Sequence, residues 1–100
     1  TTMTTSADSG CSLNETVTIR NQRGLHARAA AKFVKLAATF KCNIEVKRGD
    51  NVVSGLSIMG LMMLAAGIGS FIEVRTSGAE AGTVLEALAA LINDRFGEGE

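Results

Sequence analysis

The sequence has 100 residues, enough for one hydrophobic core but not for two, and its 46% hydrophobic and 20% charged residues are typical of a globular chain. Ten basic and ten acidic residues cancel, so no overall field favours nucleic acid or an anionic membrane, and we expect neither as a partner. With four Phe and neither Trp nor Tyr, the core must be mostly aliphatic.

Residues 1–14 are predicted to be a flexible tail, and residues 15–100 to form the domain. The tail is rich in Ser and Thr and lacks the basic front and apolar centre of a secretory signal. The two cysteines, Cys11 and Cys42, match no metal-ligand spacing, and Cys11 lies in the tail. We therefore expect no disulfide framework, no metal site and a reducing, cytoplasmic location.

The hydrophobic pattern of the first half predicts a strand, a helix and a hairpin. Residues 16–20 alternate between apolar and polar positions, as a half-buried strand does. A helix is predicted from Ala27 to about Phe40, with Lys and Arg on one side. Its predicted buried face consists of Ala30, Phe33, Ala37 and Phe40. Residues 42–47 and 52–54 alternate on either side of the turn-forming "RGDN", which predicts a hairpin.

The second half predicts a short helix, a strand and a long helix. Ser57 is a natural N-cap for a helix that runs to Ala66, and residues 71–75 alternate as the last strand. The stripe of the last helix contains Val84, Leu85, Leu88, Leu91, Ile92 and Phe96. The predicted order is β-α-β-β-α-β-α. Since each helix has one apolar stripe and each strand one apolar face, the helices should pack together on one side of an antiparallel sheet.

The segment "GLHAR", residues 24–28, places the only histidine of the chain where a helix begins. Gly24 allows a sharp turn, so the ring of His26 can stand at the helix N-terminus, where unpaired amides and the helix dipole favour an anion. Arg28 adds a guanidinium, and no acidic residue lies between Thr16 and Ile44. These positive surroundings disfavour the imidazolium form and favour a neutral, nucleophilic ring that can carry a phosphoryl group.

The residues alone leave other interpretations open. A lone histidine near a helix start is more often a surface or capping residue, and a basic run is often a solvated helix face. An N-cap serine such as Ser57 needs no functional reason, and Met at helical spacing is equally suited to a core. Neither a metal-ligand set nor a carboxylate for a hydrolytic triad lies near His26 in the sequence.

Two motifs in register resemble the HPr family, the histidine-containing phosphocarriers of the bacterial phosphotransferase system. "GLHAR" is similar to the phosphorylation motif of that family, and "SIMGLMML", residues 57–64, to its regulatory serine segment. The 31-residue interval from His26 to Ser57 is similar to that of the family. The resemblance runs from about Thr16 to Phe96. It implies an α+β, open-faced β-sandwich with four antiparallel strands, three helices on one face and no cofactor.

The resemblance also implies partners and residue roles. The δ nitrogen of His26 would receive phosphate from Enzyme I, itself charged by phosphoenolpyruvate, and pass it to a downstream acceptor of the EIIA type. Arg28 and the amides of Ala27 and Arg28 would steady the phosphoryl group, and HPr kinase/phosphorylase would modify Ser57. The chain would act as a monomer and a phosphotransfer intermediate more than as a stand-alone enzyme. The implied docking surface consists of Lys35, Leu56, Ile58, Met59, Met62 and Met63.

One departure bears on the branch of the family. Many members have proline in the first helical turn, and we assign that position to Ala30, where a missing amide donor would be spare. Alanine there is similar to the nitrogen-related carriers, so carbon and nitrogen roles both stay open. Two other classes of function also remain. One is a non-catalytic regulatory domain with an inert His26 and a switch at Ser57, and the other is a small-molecule module with an enclosed apolar pocket.

Overall fold

The computed structural model describes residues 11–97, in which a four-stranded antiparallel sheet carries three helices on one face. The sheet order is β1-β4-β2-β3, so the first strand pairs with the last. The predicted order of elements is confirmed. The elements are β1 Cys11–Thr18, α1 Ala27–Ala37, β2 Asn43–Arg48, β3 Asn51–Ser54, α2 Ile58–Met63, β4 Phe71–Gly78 and α3 Ala81–Asn93, followed by a 3₁₀ turn at Arg95–Gly97.

Strand alternation decides which face of the sheet the helices cover. Val17 lies opposite Ile72, and Val46 lies opposite Val74, so these buried side chains share one face. The intervening positions point to the open face, because successive side chains of a strand alternate between its two sides. The helices complete the core with buried residues that include Phe33, Val84, Leu88 and Ile92.

Strand β1 begins earlier than predicted. Its pairing with β4 starts at Cys11 opposite Gly78 and runs to Thr18 opposite Phe71. Residues 11–14 therefore belong to the sheet. The expectation that they form part of a flexible tail is wrong. The sequence does not predict this start, because the charged Glu15 interrupts the apolar side of the strand between Leu13 and Val17, whereas pairing uses only the backbone. The rest of the expected tail lies outside the described residues.

Phe96 is buried in the core, but it lies in a turn after α3 and not on the helical stripe that the sequence predicts. Helix α3 ends at Asn93, and Arg95 and Phe96 then adopt positive φ values of 56° and 53°. This reversal turns the Phe96 side chain inward, where it is fully buried. The Lys32 side chain on α1 donates a hydrogen bond from Nζ to the Phe96 carbonyl at 2.7 Å, which ties the turn to α1.

Two of the predicted helices are also shorter than expected. Helix α1 ends at Ala37, so Phe40 lies beyond it and is only half-buried. Helix α2 ends at Met63, because Ala65 has a φ of 53°, outside the right-handed helical region. Within residues 11–97, none of the helices has the length and apolar character needed to cross a bilayer.

Candidate functional site

His26 is the N-cap of α1. Its backbone is extended, and its carbonyl accepts the first intrahelical hydrogen bond, from the amide of Ala30 at 2.8 Å. Its ring Nδ1 accepts a hydrogen bond from the amide of Arg28 at 3.3 Å. Because an amide can only donate, Nδ1 holds a lone pair and the neutral ring carries its proton on Nε2. The predicted placement of the ring at the start of the helix is confirmed, and the residue is half-buried.

The loop before His26 is braced against the loop after α2. Gly24 has a φ of +68°, and the Leu25 amide donates to the Ala66 carbonyl at 2.8 Å. A Cβ at Gly24 would lie 2.4 Å from the Ala66 carbonyl oxygen and 2.7 Å from the Gly67 Cα. Glycine is thus required for this close approach as well as for the turn.

The end of α1 that carries His26 is basic at its surface. Arg28 follows His26 by two residues with an exposed side chain, and Arg23 is exposed in the preceding turn. Lys35 is exposed two helical turns after Arg28, on the same side of α1. The structure therefore places the ring at a helix N-terminus whose surface carries exposed cations, a setting suited to an anionic group.

The expectation of a spare donor at Ala30 is wrong. Its amide makes the hydrogen bond to the His26 carbonyl, so proline at this position would remove the first bond of the helix. Residues 27–29 precede that bond, and their amides lack intrahelical acceptors. A proline of the first helical turn therefore fits at residue 27 or 29, and neither at Ala30 nor at Arg28, whose amide donates to His26 Nδ1.

The second motif forms an exposed apolar surface. Ser57 is the N-cap of α2, as predicted, and its Oγ accepts from the Gly60 amide at 2.9 Å. Only Leu61 of this helix is buried. The side chains of Met59 and Met63 are 74% and 77% exposed, and Met62 is also exposed, so the interpretation of these methionines as core is wrong. We use the name α2 patch for the exposed residues Leu56, Ile58, Met59, Met62 and Met63.

A groove on the open face of the sheet bears on the small-molecule alternative. Its volume is about 510 Å³, and its lining includes Asn43, Glu45, Arg75 and Ser77. It is open to solvent and mostly polar, unlike the enclosed apolar pocket that such a module requires. Arg75 donates to the neighbouring Glu73 at 3.3 Å, which partly neutralises the charge in this groove.

Residues 13–94 match the family model described as "PTS HPr component phosphorylation site". The chain belongs to the HPr family. The HPr phosphocarrier of Neisseria meningitidis serogroup A is 50% identical over 88 residues, which cover 88% of this chain and 99% of that protein. The family assignment makes the chain a phosphocarrier of the phosphotransferase system, in agreement with the resemblance of its two motifs.

HPr structures also share the fold. The crystal structure of HPr from Bacillus anthracis str. Ames has a TM-score of 0.78 and 41% identity, covering 81% of this chain and 96% of that one. A relative with another name, the phosphocarrier protein NPr of Shewanella violacea, is 41% identical over 86 residues, which cover 86% of this chain and 94% of NPr. Carriers named HPr and NPr are thus both among the relatives of this HPr-family chain.

Asn21 is the part of the site that sequence reasoning missed. Asn21 lies between the predicted strand and the predicted helix, where the sequence pattern assigns no element, yet it is fully buried and bonds to Gly24 through both its side chain and its backbone. An asparagine just before a glycine turn is an available signal, because Asn side chains often bond to nearby backbone groups.

Proposed function

We propose that this HPr-family chain accepts a phosphoryl group on Nδ1 of His26 from Enzyme I and passes it to an EIIA-type acceptor. The observation that carries the proposal is the 3.3 Å hydrogen bond from the Arg28 amide to Nδ1. It puts a ring nitrogen that bears a lone pair at the N-terminus of α1. A nucleophile and donors for the incoming phosphoryl oxygens therefore occupy the same small region.

The transfer step follows from this geometry. The Nδ1 lone pair attacks phosphorus and forms the nitrogen–phosphorus bond, while the bond from phosphorus to Enzyme I breaks and leaves its electron pair on Enzyme I. The proton on Nε2 does not take part. Once Nδ1 is bonded to phosphorus, it no longer accepts from the Arg28 amide, which can donate to a phosphoryl oxygen instead. The free amides of a helix N-terminus and the dipole stabilise the added negative charge.

The Arg28 side chain supplies a second contact to the phosphoryl group. Its guanidinium is exposed and two residues from His26, so it can approach the phosphoryl oxygens without moving the backbone. These contacts are hydrogen bonds and charge attraction, and the single covalent bond is the one to Nδ1. The group is thus held but stays transferable: when the acceptor's nucleophile attacks phosphorus, the bond to Nδ1 breaks and its electron pair returns to Nδ1.

The α2 patch provides the docking surface for both partners. It presents flexible methionine side chains, which can repack against more than one partner surface. Helix α2 packs against α1, which carries His26 and the exposed Lys35. We infer that each partner offers an apolar surface with an acidic rim and docks next to the ring.

Ser57 regulates this docking in the proposed mechanism. Its hydroxyl caps α2 and is flanked by Leu56 and Ile58, two members of the α2 patch. Phosphorylation by HPr kinase/phosphorylase would place about two negative charges within the apolar surface. Docking of Enzyme I then weakens, because the partner must desolvate that charge or leave a gap around it.

The experiment compares the parent protein with His26→Ala in the presence of radiolabelled phosphoenolpyruvate and Enzyme I. The parent should take up label that is lost in acid, as phosphohistidine is. His26→Ala should take up none while staying folded, at a cost of about 1 kcal/mol for the lost N-cap of α1. Equal labelling of the two proteins contradicts the proposal. A parent that takes up no acid-labile label here, but takes up acid-stable label at Ser57 when HPr kinase/phosphorylase and its phosphate donor are supplied instead, supports a regulatory domain with an inert His26.

Docking is tested by two substitutions in the same helix. Met59→Ala truncates an exposed side chain and should raise the KM of Enzyme I for this chain with no loss of stability. Leu61→Ala truncates a fully buried side chain and should cost about 2–5 kcal/mol of stability. An unchanged KM for Met59→Ala counts against the α2 patch as the docking surface.

A further inference from the structure

The turn that precedes His26 is closed by one buried side chain. Asn21 Nδ2 donates to the Gly24 carbonyl at 2.7 Å, and the Asn21 carbonyl accepts from the Gly24 amide at 3.1 Å. Asn21 is 0% exposed and is one of two buried polar residues among residues 12–97, the other being Thr76. A side chain this deeply buried does not serve solubility, so its role must lie in the contacts it makes.

The peptide unit that joins Gly24 and Leu25 is held at both of its ends. Its carbonyl oxygen accepts from Asn21, and its N–H donates to the Ala66 carbonyl at 2.8 Å. A peptide unit is planar, so fixing both groups fixes the whole unit in space. Only the Leu25 torsions then lie between this fixed plane and the peptide unit that enters His26.

We propose that Asn21 is a positioning residue for phosphoryl transfer through His26. The proposal rests on the proposed function of His26 as the phosphoryl acceptor. Glycine at residue 24 would by itself leave the loop free to sample many conformations, and Asn21 removes that freedom. The ring is thereby held where Nδ1 meets the Arg28 amide. Transfer depends on this placement, because a shift of about 1 Å in a reacting group can cost up to about 100-fold in rate.

The chemistry of the contact explains why asparagine is suited to this position. Aspartate has the same shape, but its carboxylate lacks a donor and would face the Gly24 carbonyl oxygen. Serine is too short to replace the amide donor, and glutamine adds a methylene at a fully buried position. The neighbouring Gln22 and Arg23 are exposed and carry no such constraint.

The test uses Asn21→Ala and Asn21→Ser, with the full chain as the substrate of phosphorylated Enzyme I. The turnover number should fall about tenfold, because the ring is misplaced after docking. The KM should change less than about twofold, because the α2 patch is unaltered. A turnover number within about twofold of the parent in both variants would overturn the proposal.

Thr76→Val is the matched control. Thr76 Oγ1 donates to the Ala81 carbonyl at 2.8 Å, so this nearly isosteric substitution also removes one buried bond from a side chain to the backbone. Thr76 pairs with Leu13 and Ile44 near the C-terminal end of β4. The chain that leads from β1 to His26 lies at the opposite end of β4, where the Ile19 amide donates to the Ser70 carbonyl. The control should keep its turnover number despite a loss of stability, and an equal loss of turnover would mean that destabilisation alone explains the effect.

NMR separates the positioning role from the phosphoryl-transfer role. In Asn21→Ala the Arg28 amide signal should shift and the Leu25 amide should exchange at least about tenfold faster, whereas both should stay unchanged in Thr76→Val. If Enzyme I does not phosphorylate the parent, the proposed function fails, but these signals still decide whether Asn21 positions the loop. If neither Asn21 variant folds, amide hydrogen exchange in the parent tests the proposal. Slow exchange of the Gly24 and Leu25 amides supports it, and rapid exchange overturns it.

Discussion

Replacing Gly24 with alanine should destabilise the protein and misplace His26. The new Cβ would lie 2.4 Å from the Ala66 carbonyl oxygen and 2.7 Å from the Gly67 Cα, so the two loops must separate. The left-handed backbone at φ +68° costs an alanine about 1–2 kcal/mol. Loss of the hydrogen bond from Leu25 to Ala66 adds about 0.5–1.5 kcal/mol. We expect a total loss of about 2–3 kcal/mol, which lowers the melting temperature by about 10–20 °C.

Gly49→Ala is the control for this substitution. Gly49 has a similar φ of +61°, but a Cβ there would meet no atom within 4 Å. Gly49→Ala should therefore lose only the stability that the left-handed backbone costs an alanine, about 1–2 kcal/mol. Thermal and urea unfolding of both variants measure the difference, and Gly24→Ala should also accept phosphate more slowly from Enzyme I. Equal destabilisation of the two variants would refute the close contact between the loop before His26 and the loop after α2.

Four further predictions concern substitutions at three other residues. Ala65→Gly should stabilise the protein by about 0.5–1 kcal/mol, seen as a higher urea midpoint, because Ala65 follows the C-cap of α2 with a φ of 53°. A lower midpoint would contradict this. Lys32→Met should cost about 1–2 kcal/mol by removing the donor to the Phe96 carbonyl, so unchanged stability would contradict that role. Ser57→Ala should cost about 1 kcal/mol as a lost N-cap. Ser57→Asp should keep the cap but raise the KM of Enzyme I, and an unchanged KM would argue against regulation by charge at Ser57.

The element order could be predicted because local patterns and packing agree. Alternating apolar and polar residues predicted the central strands. His26 and Ser57 are the N-caps of α1 and α2, as the sequence also predicted. The beginning of β1 could not be predicted in this way. Residues 11–14 are held by backbone pairing with β4, and the charged Glu15 interrupts the apolar side of the strand between Leu13 and Val17.

The remaining differences arise where tertiary contacts override local pattern. Phe96 fits the α3 stripe in sequence, yet it is buried through a reversal with positive φ that no helical period describes. The methionines of α2 fit a core equally well, but Leu61 alone takes the inward position of that short helix. The burial of Asn21 depends on the turn it closes, which only the packing of two distant loops makes visible.

The most direct test of the mechanism identifies the ring nitrogen that carries phosphorus. NMR of the protein labelled with nitrogen isotope in His26, before and after incubation with phosphoenolpyruvate and Enzyme I, measures this atom. Before transfer, Nδ1 should be unprotonated in the neutral ring and Nε2 protonated. After transfer, phosphorus should couple to Nδ1 and the Arg28 amide signal should move. Phosphorus coupled to Nε2, or bound to a residue other than His26, would contradict the mechanism.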